Sequence, residues 1–336
     1  MSKISRVSFF IFVFFYNYLW LRIIVFDDFY NNLGTSGFII SLLLLFGVMV
    51  IFLLIPKKVL NKNYSELINR SFIKWILLIL SLLEIIFNIC YISYFINEVF
   101  IVDSNIYILL IIISLVVIFI SNLLPYEIID LSTIFNIVGF LLIGISFIFK
   151  PKVDVEYLFM FENFKILKII PYIFFIVFDN LKLLISKDKL NFKRRDYLLA
   201  IFLGLLLYVI EYGLLIMTVG DKALIDLSYV GFLELSFMPV TKYLGDFNFV
   251  YIYLLMVCGI FKNGFDLSQF KNMIGINKNI INTLLGLLIV GCALLSVYSI
   301  PVDTVLDKYV IMIMLLFGIL LIWMIWKCYF VRKDKR

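Results

Sequence analysis

Histidine is missing from this 336-residue chain, and charge, proline and cysteine are scarce. Without histidine there is no Ser–His or Cys–His couple, no imidazole metal ligand and no ordinary proton shuttle near neutral pH. The four cysteines, Cys90, Cys258, Cys292 and Cys328, lie far apart in or beside apolar stretches. Zinc sites and disulfide frameworks need clustered ligands, so these cysteines read as small apolar core residues. The G-x-x-x-x-G-K-[ST], H-E-x-x-H and G-x-S-x-G patterns are absent as well. An intramembrane aspartyl pair would need two facing Asp residues, and only Asp179 falls deep in an apolar stretch. The expectation is a protein with no catalytic residue, no metal and no cofactor.

What the chain has instead is hydrocarbon. Hydrophobic residues make up 64% of it and charged residues 15%. The bilayer core is about 30 Å thick and is crossed by about 20 apolar residues in a helix. Ten such stretches are read at 7–26, 37–56, 73–97, 106–124, 127–149, 169–186, 197–219, 248–267, 281–300 and 308–327. The fourth and fifth nearly touch at Leu124-Pro125-Tyr126. Residues 1–336 therefore read as a single integral membrane domain, all-α and polytopic. The start, Met1-Ser2-Lys3 with Arg6, lacks an A-x-A site after its apolar run, so a retained first span is expected rather than a cleaved signal.

Loop charge orients the spans. Lys57, Lys58, Lys62 and Arg70 follow span two, and Lys187, Lys189, Lys193, Arg194 and Arg195 follow span six. Lys327, Arg332, Lys333, Lys335 and Arg336 end the chain, and with ten spans all these lie on one side together with Lys3 and Arg6. The other side carries Asp27, Asp28, Glu98, Asp103, Asp154, Glu156 and Asp221. Positive loops stay inside, so both termini are expected in the cytoplasm. The net charge of +6 then needs no nucleic acid. Outer segments 150–168 and 220–247 mix apolar and polar residues at near-helical spacing, as short interfacial helices do. Two halves of five spans, 7–149 and 169–327, would have opposite topology, because an odd number per half inverts it. That is the inverted-repeat, LeuT-like layout of many transporters.

Polar residues inside spans are expensive, about 2.5–3.5 kcal/mol for a central charge on insertion scales, and so mark the places to look. They are Asn17 and Arg22 in span one, Glu84 and Asn88 in span three, Asn136 in span five, and Asp179 and Asn180 in span six. Glu211 lies in span seven, and Lys262 and Asn263 in span eight. Asn17 and Asp179 each sit about ten residues into the first span of their own half, where inverted-repeat transporters hold their ligand. Asn17, Asp179 and Asn180 are the candidate ligand-binding residues, with Tyr16, Tyr18 and Phe178 as walls. The alternative is hydrogen bonding that fastens the helices. Spans one and six lack Gly and Pro at that depth, so little unwinding is expected. Glu84 and Asn88, four apart on one face, with Glu211 and Lys262, are the coupling candidates. Glu84 could equally be the partner of a cation, and Lys262 could simply snorkel to the inner interface.

Two blocks carry a family resemblance. One is Ser65-Glu66-Leu67-Ile68, then Lys74-Trp75-Ile76, leading into a long third span that ends near Tyr94-Phe95-Ile96-Asn97-Glu98. The other runs from Leu227-Ser228-Tyr229 through Phe232-Leu233-Glu234-Leu235 to Gly245-Asp246-Phe247, then to Gly259-Ile260-Phe261-Lys262. In these the chain resembles the B subunit of spore germinant receptors, the endospore germination permeases of the amino acid–polyamine–organocation transporter superfamily. Departures mark a divergent member. The Gly-rich break of span one is replaced by Phe15-Tyr16-Asn17-Tyr18, and the Gly-Glu pair of span six by Asp179-Asn180. The resemblance implies sensing of a small nutrient, usually an amino acid, at the spore inner membrane, in assembly with a membrane-anchored A-type subunit and a C-type lipoprotein. The runner-up is a proton-coupled amino-acid transporter of the same superfamily. A third reading, a membrane glycan polymerase, would want several outer-loop arginines, and none is assigned between spans.

Overall fold

The computed structural model describes residues 5–18, 36–54, 73–99, 105–148, 155–159, 170, 172–173, 176–177, 179–180, 183, 193–219, 248–274 and 286–294. Among the described residues the protein is all-helical and has no strand. Helix α1 covers 6–18, α2 Gly37–Leu54, α3 Ile73–Val99, α4 Ile106–Ile120 and α5 Pro125–Ile148. The helical residues between 170 and 183 are called α6, followed by α7, Arg194–Val219, α8, Asn248–Ile274, and α9, 286–294. Several sequence expectations fall outside the described residues: Arg22, Phe178, Cys328, the tenth span, the C-terminal tail, the basic loop after span two, and segment 220–247.

Helix starts follow ordinary capping chemistry. Ser5 Oγ accepts the Ser8 N–H at 2.9 Å at the start of α1, and Asn105 Oδ1 accepts the Tyr107 N–H at 3.0 Å at the start of α4. Both satisfy donors that a helix cannot satisfy internally. Between α4 and α5 the chain turns at 121–124 and restarts at Pro125. Proline has no N–H to extend α4 but suits the first turn of a new helix. Glu127, three residues beyond Leu124, accepts the Leu124 N–H at 2.8 Å and closes the new start. The two helices are bent by 120° at this break. The 15 residues of α4 rise only about 22 Å, less than the bilayer core. The expected fourth span, 106–124, is thus a shorter helix that meets α5 at a sharp angle. Residues expected to form a short interfacial helix include a single 3-10 turn, Val155–Phe159, which packs on α7.

Among the described residues, two helices are long and apolar enough to cross a membrane by themselves, Gly37–Leu54 and Arg194–Met217, and a third crossing is added if the bent α4–α5 pair counts as one. Burial supports an apolar surround. Phe119 is 74% exposed and Ile134 64%, while Glu84, Asp179, Lys262 and Asp266 are buried. Helix α1 is covered nearly all round: Phe9, Phe12, Val13, Phe14, Phe15, Tyr16 and Tyr18 are all buried. A helix apolar on every side belongs at the centre. Its aromatic rings reach α5 through Phe15 and Phe140, 4.6 Å between centroids, and α8 through Phe12 and Phe265, 5.1 Å. Gly204 of α7 lets that backbone come against α1, since a Cβ there would stand 2.6 Å from the Phe14 carbonyl oxygen. Helix α2 packs on α7, and α8 packs on α3, α4 and α5.

Candidate functional site: a buried ion cluster on four helices

Helix α8 carries Lys262 and Asp266 four residues apart, hence on one face. Lys262 Nζ lies 2.8 Å from Glu84 Oε1 of α3, 3.1 Å from Asp266 Oδ2 and 3.3 Å from Asp179 Oδ2 of α6. Helix α1 adds Tyr16, whose hydroxyl donates to Asp179 Oδ1 at 2.7 Å and whose ring centroid is 4.6 Å from the ammonium. The Tyr16 hydroxyl stands 3.5 Å from Asp266 Oδ1, a weak contact at that length. None of the four charged residues is more than 4% exposed.

Three carboxylates and one ammonium would carry a formal charge of −2 if all were ionised. Charges held away from water are costly unless paired, and here each acid lies against the Lys262 ammonium. One carboxylate oxygen from each acid falls within 4.8 Å of the others, close enough to share one cation. In this structure the cation among them is the Lys262 ammonium, which has three donors and gains from the Tyr16 ring face.

The structure corrects the expectation that Lys262 snorkels to the interface, because the ammonium is buried and held by three acids. The idea that only Asp179 lies deep also fails. Asp266 is buried too, and the Lys262 ammonium bridges the two carboxylates. Asp266 was missed because the hydropathy of span eight fades at 267, whereas α8 continues to Ile274. The available signal was polar spacing. Lys262, Asp266 and Gln269 recur at i, i+4 and i+7, one face of a helix, and all three are buried.

The remaining candidates form three further pairs. Asn17 and Asn180 exchange amide hydrogen bonds between α1 and α6, with Asn17 Nδ2 donating to Asn180 Oδ1 at 3.0 Å and Asn180 Nδ2 donating back. Their remaining N–H groups go to the Val13 and Ile176 carbonyls at 2.8 and 2.9 Å. Every amide donor of this pair is therefore used inside the protein. Tyr18 turns away from the ions and donates to Glu211 Oε1 of α7 at 2.6 Å. Asn88 Nδ2 of α3 donates to Asn263 Oδ1 of α8 at 3.0 Å. Asn88 Oδ1 and Asn263 Nδ2, both buried, have no hydrogen-bond partner among the described residues. Asn136 accepts from Cys258 Sγ at 3.1 Å, in keeping with a core thiol, and Cys90, Cys258 and Cys292 all stand outside disulfides.

Compared with protein-family models and with curated proteins, the chain matches none.

Proposed function

We propose that this chain is the membrane subunit of a small-nutrient receptor of the spore germinant type, recognising an amino acid within its helix bundle and signalling to partner subunits. In this reading it has ten spans in two inverted halves, both termini are cytoplasmic, and the membrane is the spore inner membrane or the cell membrane. An A-type membrane subunit and a C-type lipoprotein are its partners.

One observation carries the reading: Tyr16, Glu84, Asp179, Lys262 and Asp266 come from α1, α3, α6 and α8 to one buried ionic cluster. An inverted-repeat protein has its first and sixth spans at the centre beside its third and eighth, with the ligand at mid-depth. Charges inside a membrane bundle mark function more often than stability. A cluster that ties four helices is also a two-state element. A ligand that binds one arrangement more tightly shifts the population and so signals without transport. The burial of Glu84, Asp179 and Asp266 among the helices favours a second reading, proton-coupled uptake of an amino acid, because carboxylates inside a membrane bundle serve as proton carriers.

The test is Asp179→Asn in the full receptor, challenged with a panel of amino acids at matched protein abundance. The response to the recognised amino acid should weaken at least several-fold. Identical titrations for wild type and variant would reduce Asp179 to a structural contact. Reconstitution in vesicles separates the two readings, since accumulation of labelled amino acid down a proton gradient would favour the transporter.

A further inference from the structure

Lys262 presents a primary ammonium to three carboxylates at 2.8, 3.1 and 3.3 Å, with an aromatic face 4.6 Å away. Glu84 Oε1 and Asp266 Oδ2 accept hydrogen bonds from it, and Asp179 Oδ2 adds an ion-pair contact, a shell that suits any primary ammonium. A second feature lies along the same α3–α8 seam. Asn88 is one turn from Glu84 on the same face of α3, and Asn263 adjoins Lys262 on α8. Asn88 is 1% exposed and Asn263 0%. Yet among the described residues Asn88 Oδ1 has no donor and Asn263 Nδ2 no acceptor. Buried polar groups left open in this way are costly. Their complement is a small molecule that both donates and accepts.

An α-amino acid does so through neighbouring atoms: its ammonium donates and its carboxylate accepts. We infer that Lys262 is a tethered stand-in for a ligand ammonium, filling the acidic cage until an amino-acid zwitterion displaces it. The ligand ammonium then takes the place among Glu84, Asp179 and Asp266 and shares a donor with Asn88 Oδ1. Its carboxylate accepts from Asn263 Nδ2 and pairs with the released Lys262. The zwitterion adds one positive and one negative charge, so the charge of the cluster is unchanged. A simple amine has no carboxylate for the released lysine and is rejected by the intact protein. This places recognition on the α3–α8 seam, whereas the Asn17–Asn180 amides have no donor to spare. The inference rests on the recognition reading above and adds the seam where the ligand sits and the group it displaces.

Methylammonium, the smallest carrier of the lysine headgroup, tests the cage itself. Thermal unfolding of the purified full chain is measured for wild type, Lys262→Ala, which empties the position, and Lys262→Met, which refills it with an apolar side chain. Methylammonium should raise the midpoint of Lys262→Ala saturably, as a ligand specific to the native state does. Wild type and Lys262→Met should not shift, and adding Glu84→Gln to Lys262→Ala should weaken the methylammonium effect at least several-fold. No saturable rise in Lys262→Ala, or the same rise in wild type, would overturn the inference. If Lys262→Ala does not accumulate alone, methylammonium in the growth medium should restore it, and failure to do so overturns the inference equally. A panel in which no amino acid elicits a response sinks only the recognition reading. Absence of methylammonium rescue beside a normal amino-acid response sinks only the stand-in role of Lys262.

Discussion

Among the described residues two asparagine pairs cross between helices, and they are built differently. Asn17 and Asn180 join α1 to α6 by two reciprocal amide bonds, and their spare N–H groups return to carbonyls one turn back in their own helices. Asn88 and Asn263 join α3 to α8 by one bond and leave an acceptor and a donor open. The residue type is the same and burial is similar, yet the first pair is closed and the second is not. A closed pair fastens helices and has no donor left for a ligand. An open pair is energetically unfinished, and here it adjoins the charged cluster in sequence on both of its helices. Hydrogen-bond accounting, more than residue identity, separates a rivet from a binding surface.

The largest effect should come from the ions beside the open pair. Lys262→Met removes an ammonium held by Glu84, Asp179 and Asp266. Breaking a buried ionic cluster by deleting one partner costs about 3–5 kcal/mol, to be read from equilibrium unfolding in mixed micelles. A loss below about 1 kcal/mol would mean that the carboxylates are already neutralised in another way. Next comes the closed pair. Asn17→Leu strands the Asn180 amide, and leaving a buried polar group without its partner costs about 1–3 kcal/mol. No loss in the same unfolding measurement would break the comparison, because the closed pair would then not be fastening α1 to α6. The smallest effect belongs to the open pair. Asn88→Leu with Asn263→Leu removes one hydrogen bond together with the stranded acceptor and donor. Replacing both partners by apolar groups of like shape is near neutral, so the double variant should unfold within about 1 kcal/mol of wild type while its response to the recognised amino acid disappears. A large loss of stability with an intact response would make the two pairs equivalent.

Much of this was legible in advance, and the misses have physical causes. Asn17, Asp179, Asn180, Glu84, Asn88 and Lys262 stand out because a polar group in an apolar span needs a reason. Hydropathy locates them without a fold. It cannot say which of them meet. Lys262 reads as a snorkelling residue from its place near the end of span eight, since the length of its side chain suits that as well as an inward pairing. Asp266 escaped because it sits where averaged hydropathy falls off, although its four-residue spacing from Lys262 was visible. The break near Pro125 was anticipated, but a bend angle depends on how the two helices pack against the rest.

The sequence alone determined that the described residues are helical and include helices long and apolar enough to cross a membrane, because apolar stretches of bilayer length, with little polar surface to spare, leave the backbone few other ways to satisfy its hydrogen bonds. It also determined which polar residues would be costly to bury. Tertiary structure alone decided that Lys262 closes on Glu84, Asp179 and Asp266, that Tyr16 joins them while Tyr18 turns to Glu211, and that one asparagine pair closes while the other stays open. The physical reason is range. Hydropathy and helical spacing act between neighbours in the chain, whereas these contacts join residues as many as 250 positions apart, through helix packing that no local pattern encodes.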